Sequence, residues 1–223
     1  MKTSLNKNEL LLYVKSQIQN NFNDGTNDNI TLSDVMLALD KIEFCFNHIN
    51  LKYYKDHSGD VFFDHLYGDS YAMFLYFLSR ELFFKGEERG ATKLFLLNKL
   101  IYGIDIFYTV SLPNIFYFTH AYGTVLGAAK YSDYLVVYQG VTVGSDLGES
   151  GLAGAYPSFG EGVILFANTS IIGACDIANN VTFGANSFLR NSNIAEDKIV
   201  VGHWPNFSIK TNSCVNKKYY FGV

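Results

Sequence analysis

The chain has 223 residues, 48% of them hydrophobic, and a formal net charge of −4, enough apolar content to pack a sizeable core in one or two domains. With 17 Lys and Arg against 21 Asp and Glu and no dense basic run, it presents no electrostatic footprint for nucleic acid. Lys2, Lys7, Glu9 and Lys15 interrupt the N-terminal apolar residues, and Arg80 and Glu81 break the most apolar stretch, 71–84. Neither a secretory signal nor a membrane span is expected, and a cytoplasmic location follows. Cys45, Cys175 and Cys214 are odd in number and widely spaced, so they read as reduced, small apolar residues and not as a disulfide framework or a zinc site.

From residue 5 to about 102 the apolar spacing is helical. Leu10, Leu11, Val14 and Ile18 recur at turn intervals, and the polar stretch 23–29 ends that helix. A second helix is predicted to start at Thr31, with Asp34 completing a capping box and Val35, Leu39, Ile42 and Phe46 on one face. Residues 53–60 break it, and two more helices are predicted at 70–85 and 88–102, joined around Gly86. The rings of Phe62, Phe63, Phe74, Phe77, Phe83 and Phe84 suit a hydrophobic core or a subunit interface better than a ligand box. His48, His57 and His65, all in this half, read as surface or interface residues.

Beyond residue 105 a period of six replaces the helical one. Phe159, Leu165, Ile171, Ile177, Phe183 and Leu189 stand six apart, and counting back from Val143 gives Val137, Tyr131 and Val125. Small or β-branched residues follow four places later at Ala129, Val141, Val163, Thr169, Cys175, Val181 and Ser187. Such a period predicts a parallel coil with three short flat strands per turn and large residues stacked inside. Gly and Asn at positions such as 127, 140, 144, 168, 173, 180 and 184 supply its corners. Val143 and Phe159 fall out of phase, so a Gly-rich loop, 145–158, must leave the coil between them, a placement typical of binding segments.

Acyl transfer to a hydroxyl needs a base for the hydroxyl proton and then an acid for the leaving group, and one histidine held by a carboxylate serves both needs. His203, beside Trp204 and Pro205, lies near the end of the coil. His120 alone lies within the repeats near their start.

The stretch IDIFYTVSLPNIFYFTHAYGTVLG (104–127) resembles the opening of the β-helix in bacterial serine O-acetyltransferases. YQGVTVG (138–144) is similar to that family's next coil, and FGEGVILFANTSIIGACDIANNVTFGANSFL (159–189) aligns with its later coils without a gap. The resemblance implies an α+β architecture: an α-helical domain, 1–103, followed by a left-handed parallel β-helix, 104–223, of hexapeptide repeats with a C-terminal tail. It implies acetyl-CoA as co-substrate, no metal, His120 as base, and Asp105, fifteen residues earlier, as the carboxylate that orients it. It also implies that the pantetheine arm lies along a groove lined by Gly144, Ala167 and Ala185. Lys210 or the pair Lys217 and Lys218 could reach a CoA phosphate, although a solvated tail is the simpler reading. The family's coils close into homotrimers, which a helical domain can pair into a dimer of trimers.

The acceptor side departs from the family. Where serine acetyltransferases carry Arg-His-Pro at the end of the loop, this chain has Ala155, Tyr156 and Pro157. Losing the Arg removes a charge-assisted partner for an amino-acid carboxylate. A saccharide hydroxyl, with Tyr156 as an acceptor-binding residue, is therefore the expected acceptor. Serine is the alternative, and a non-catalytic trimer is a weaker one that the retained Asp105 and His120 oppose. A zinc hydratase on the same coil would want three histidines, and the coils from 119 to 189 hold only His120.

Overall fold

A computed structural model of the chain describes residues 1–147 and 154–223. They form two compact units, Met1–Thr109 and Val110–Val223. In the first, the short strands β1 (Lys2–Thr3) and β2 (Phe62–Phe63) pair in parallel beside four helices, α1 (Lys7–Phe22), α2 (Leu32–Asn47), α3 (Gly68–Phe84) and α4 (Glu88–Tyr102). Asn6 begins α1 by accepting bonds from the Asn8 and Glu9 amides, while the Glu9 carboxylate accepts one from the Asn6 amide. Thr31 and Asp34 start α2 in the same reciprocal way, so both helices enter with otherwise orphaned amides satisfied. α3 packs against both α2 and α4. Phe74 and Phe77 on α3, and Phe63 before it, are buried as core, whereas Phe84 at its end is exposed.

The polar stretch between α1 and α2 is fastened by a buried lysine. Lys93 on α4 lies 2.8 Å from Asp24 Oδ1 and 2.6 Å from Asp28 Oδ1, which compensates the cost of taking its ammonium out of water. Gly103, at φ +65°, closes α4 in the left-handed conformation common after a helix. Residues 104–109, expected in the coil, belong to the helical unit. Ile104, Ile106 and Tyr108 are buried there, and Arg80 donates to the Tyr108 carbonyl at 2.9 Å.

The second unit is built from β3 (Phe116–Thr119), β4 (Val125–Leu126), β5 (Leu135–Tyr138), β6 (Thr142–Gly144), β7 (Ser158–Phe159), β8 (Ile164–Leu165), β9 (Ser170–Ile172), β10 (Asp176–Ile177), β11 (Thr182–Phe183) and β12 (Phe188–Arg190). Strands of one turn pair in parallel with those of the next, placing Leu165 opposite Phe183, Ile171 opposite Leu189 and Phe159 opposite Ile177. Each pair is three hexads apart, the advance of one turn of a parallel β-helix. Val137 instead faces Leu165 and Val143 faces Ile171, so the extra residues between these turns are those of the loop between β6 and β7.

The predicted interior column is buried at Val137, Val143, Phe159, Leu165, Ile171, Ile177, Phe183 and Leu189, as are all seven smaller residues four places on. Tyr131 stacks parallel on Phe159 with ring centres 5.4 Å apart, and its hydroxyl donates to the Gly127 carbonyl at 2.9 Å. Val125 departs from the prediction. It is 39% exposed while its neighbour Leu126, at 1%, fills the interior place, because the corner before β4 carries extra residues that shift the count. Corners repeat as ladders: Asn168 and Asn186 both have positive φ, and Asn168 Nδ2 donates to Asn186 Oδ1 at 3.2 Å.

The solvated tail expected after the coil is instead structured. β13 (Lys198–His203) adds in parallel to β11 and β12 and turns back as β14 (Asn206–Thr211), followed by α5 (Asn216–Phe221). Asn216 is buried and donates to the Gly162 carbonyl and to Thr182 Oγ1, and Phe221 packs on Tyr117 and Tyr134. Lys217 pairs with Glu161 at 2.8 Å, which engages one of the three lysines considered for a phosphate. Of the cysteines, Cys45 and Cys175 are buried, but Cys214 is exposed and not a core residue. No helix among the described residues is long and apolar enough to cross a membrane.

Candidate active site

His120 owes its position to a local irregularity in the coil. Thr119 pairs with Tyr138 and Val125 with Thr142, so the first turn places 120–124 at a corner where the second has only 139–141. The Gly140 amide donates to the Tyr122 carbonyl at 2.9 Å, which keeps the later part of the longer corner in the stack. The two additional residues swing His120 outward. It adopts φ +55° and is exposed, with Ala121 buried behind it and Tyr122 68% exposed beside it. A histidine at positive φ is uncommon and carries strain of about 1 kcal/mol or more. A repeat coil would satisfy this corner more cheaply with Asn or Gly, as its later turns do.

Asp105 lies in the first unit, where Lys99 Nζ donates to its Oδ2 at 2.6 Å. Both side chains are substantially exposed, so this ion pair is weak and exchangeable. His120 lies in the second unit.

Tyr156 returns the loop to the coil. Its half-exposed ring lies over Gly127, where an added Cβ would stand 2.9 Å from the ring edge and 2.9 Å from the Val143 carbonyl. The Lys130 amide donates to the Pro157 carbonyl at 3.0 Å. His120 precedes β4 and Gly127 follows it, so the histidine and the tyrosine ring bracket one short strand. Ala155 is exposed. The middle of the predicted loop, 148–153, lies outside the described residues.

Ala167 and Ala185 occupy one corner on successive turns, and the Asn186 amide donates to the Ala167 carbonyl at 2.8 Å. Gly144 ends β6. A Cβ there would meet only Ile172 Cδ1, at an ordinary 3.5 Å, and its φ is not positive. Packing and backbone therefore do not demand glycine at 144, unlike Gly140, where a Cβ would strike Asn168 Oδ1 at 2.2 Å. Among the described residues no cluster of His, Cys, Asp and Glu is arranged to hold a metal ion.

Sequence reasoning missed the root of the loop. Asp146 accepts from Arg190 Nε at 3.0 Å, Arg190 Nη2 at 3.1 Å, Asn191 Nδ2 at 2.7 Å and the Leu147 amide at 2.8 Å. Bonds from Asn191 and Arg190 hold its carboxyl below the usual carboxylate range. A lone acid followed by Arg-Asn more than forty residues later gives no periodic signal.

These coils define the chain as a left-handed parallel β-helix of the hexapeptide-repeat type behind an α-helical unit, an α+β fold. No family model matches the chain. Over 127 residues, 56% of its length, it is 28% identical to serine acetyltransferases of Staphylococcus xylosus and Staphylococcus epidermidis. It spans 58% and 59% of the length of those two relatives. In fold it is similar to a serine acetyltransferase solved in complex with CoA, with TM-score 0.67 and 20% identity over 92% of this chain and 86% of that one. It is also similar to the serine acetyltransferase of Brucella abortus, with TM-score 0.68 and 19% identity over 89% and 82%. The Neisseria gonorrhoeae serine acetyltransferase in complex with serine gives TM-score 0.57 and 25% identity over 77% and 72%. The chain is serine acetyltransferase-like in sequence and in fold.

Proposed function

We propose that this chain is an acetyl-CoA-dependent O-acetyltransferase with L-serine as its acceptor. The observation that carries the reading is His120, held outward at a lengthened corner of a coil that is similar in sequence and fold to serine acetyltransferases. Its imidazole takes the proton from the acceptor hydroxyl as the oxygen attacks the thioester carbonyl. The resulting intermediate collapses to the O-acetyl ester, and the same imidazole, now protonated, returns the proton to the departing CoA thiolate. Asp105 is the carboxylate assigned to orient the imidazole and steady its charged form. Gly144, Ala167 and Ala185 are assigned to the pantetheine arm, the glycine because nothing in the fold requires it. A homotrimer is the assembly this reading implies.

The saccharide acceptor expected from the loop finds no support among the relatives described above, all of which are serine acetyltransferases. Tyr156 retains a role as acceptor-side wall, since its ring is held to the coil beside the strand that follows His120. The deciding experiment measures CoA release from acetyl-CoA with L-serine, free hexoses and nucleotide sugars offered separately. Saturable release with serine supports the proposal. Release with a sugar and none with serine replaces the acceptor, and release with nothing, from a protein that also fails to bind CoA, removes the enzymatic reading.

A further inference from the structure

Gly144, Ile172 and Arg190 stack in register on three successive turns. Asp146, two residues beyond the lowest of them, reaches past the middle turn to Arg190 and Asn191 on the highest. Adjacent strands are separated by about 4.8 Å, so the side chain links levels that do not touch through their backbones. Gly173 clears its path. At φ +83°, it has no Cβ, and one added there would stand 3.0 Å from Asp146 Cβ and 2.1 Å from Asn191 Oδ1. The Asp146 carbonyl accepts from the Gly154 amide at 2.6 Å, drawing the outgoing and returning ends of the loop together. From outside, Arg190 is backed by Trp204, whose ring centre lies 5.6 Å from the guanidinium.

From this geometry we infer that Arg190 is a positioning residue for acceptor selectivity: it fixes the root of the extruded loop through Asp146, and so fixes where Tyr156 stands. The planar guanidinium makes two bonds to one carboxylate, which sets direction as well as distance. Arg190 acts through Asp146 and the loop, not on the reacting atoms. The selectivity part rests on the function proposed above, whereas the clasp itself does not.

The test compares wild type with Arg190→Ala, Arg190→Lys and Asp146→Asn by hydrogen exchange at the amides of Leu147 and Gly154, and by steady-state kinetics with serine and acetyl-CoA. Arg190→Ala is expected to speed exchange at both amides roughly tenfold and to raise the acceptor KM by a similar factor, the scale of a lost charge-assisted contact. The acetyl-CoA KM should change less than about twofold, the split that separates acceptor positioning from general damage. Lys, which keeps the charge and loses the fork, should recover only part of the acceptor KM. Asp146→Asn keeps the shape and guards against a folding failure at Arg190. Unchanged exchange in both Arg190→Ala and Asp146→Asn would overturn the clasp. Faster exchange with an unchanged acceptor KM would overturn its link to selectivity. A wild type that turns over no serine would defeat the proposed function while leaving the exchange result to decide the clasp.

Discussion

At the scale of single residues, the proposed function turns on side chains that depart from what the coil needs. His120 is one, exposed at positive φ on a corner with two residues more than the corner stacked on it. Replacing it with Ala should lower kcat at least about a hundredfold, the usual scale for losing a general base, with CoA binding retained. Alanine at φ +55° keeps the backbone strain, so a thermal melt beside the kinetics should show the variant folded and no more stable than wild type. Glycines provide a second contrast. Gly144→Ala makes only an ordinary contact with Ile172, so stability should shift by less than about 0.5 kcal/mol while the acetyl-CoA KM rises. Gly173→Ala forces a Cβ into the Asp146 clasp at φ +83° and should cost about 2 kcal/mol. Thermal melts beside KM values for each cofactor and acceptor would separate the two cases.

Among the elements, α2 shows how a helix start is legible in the sequence. Thr31 and Asp34 form the capping box expected of them, and Lys85 adds a charge 3.1 Å from Asp34 Oδ2. Burial pushes the Asp34 carboxyl up, but bonds from the Thr31 hydroxyl and amide and from Lys85 outweigh it and leave the group below its ordinary value of 3.8. A lowered native pKa means that this stabilisation is present above the ordinary carboxylate value and is lost as pH falls through the lowered one. Thr31→Ala should destabilise the helical unit by about 1 kcal/mol and make its acid unfolding begin at higher pH, which circular dichroism against pH would record. The coil strands were legible for a different reason: one turn repeats every three hexads, so each interior position is stated several times. Val125 departs from the pattern where that redundancy ends, at the lengthened corner, which is also where the proposed base, His120, stands.

For the whole molecule, the proposed function implies a homotrimer. Light scattering should give three chain masses for the trimer, or six if the helical units pair. A stable monomer would require a site built from one chain alone. The two architectures, helical then coiled, were readable because periods of 3.6 and six are local properties of the sequence. His120 and Asp105 are proposed as base and orienting carboxylate through resemblance to serine acetyltransferases, since no period marks such residues. By itself the sequence determined where α2 and α4 begin, most of the residues that fill the coil and where the loop must leave it, since each is a matter of neighbours along the chain. Only the tertiary structure decided that residues 104–109 join the helical unit, that the tail folds back through Asn216 onto Gly162, and that Asp146 meets Arg190. Those contacts join residues far apart in the chain, and their partners are selected by stacking geometry, which leaves no mark on the spacing of residue types.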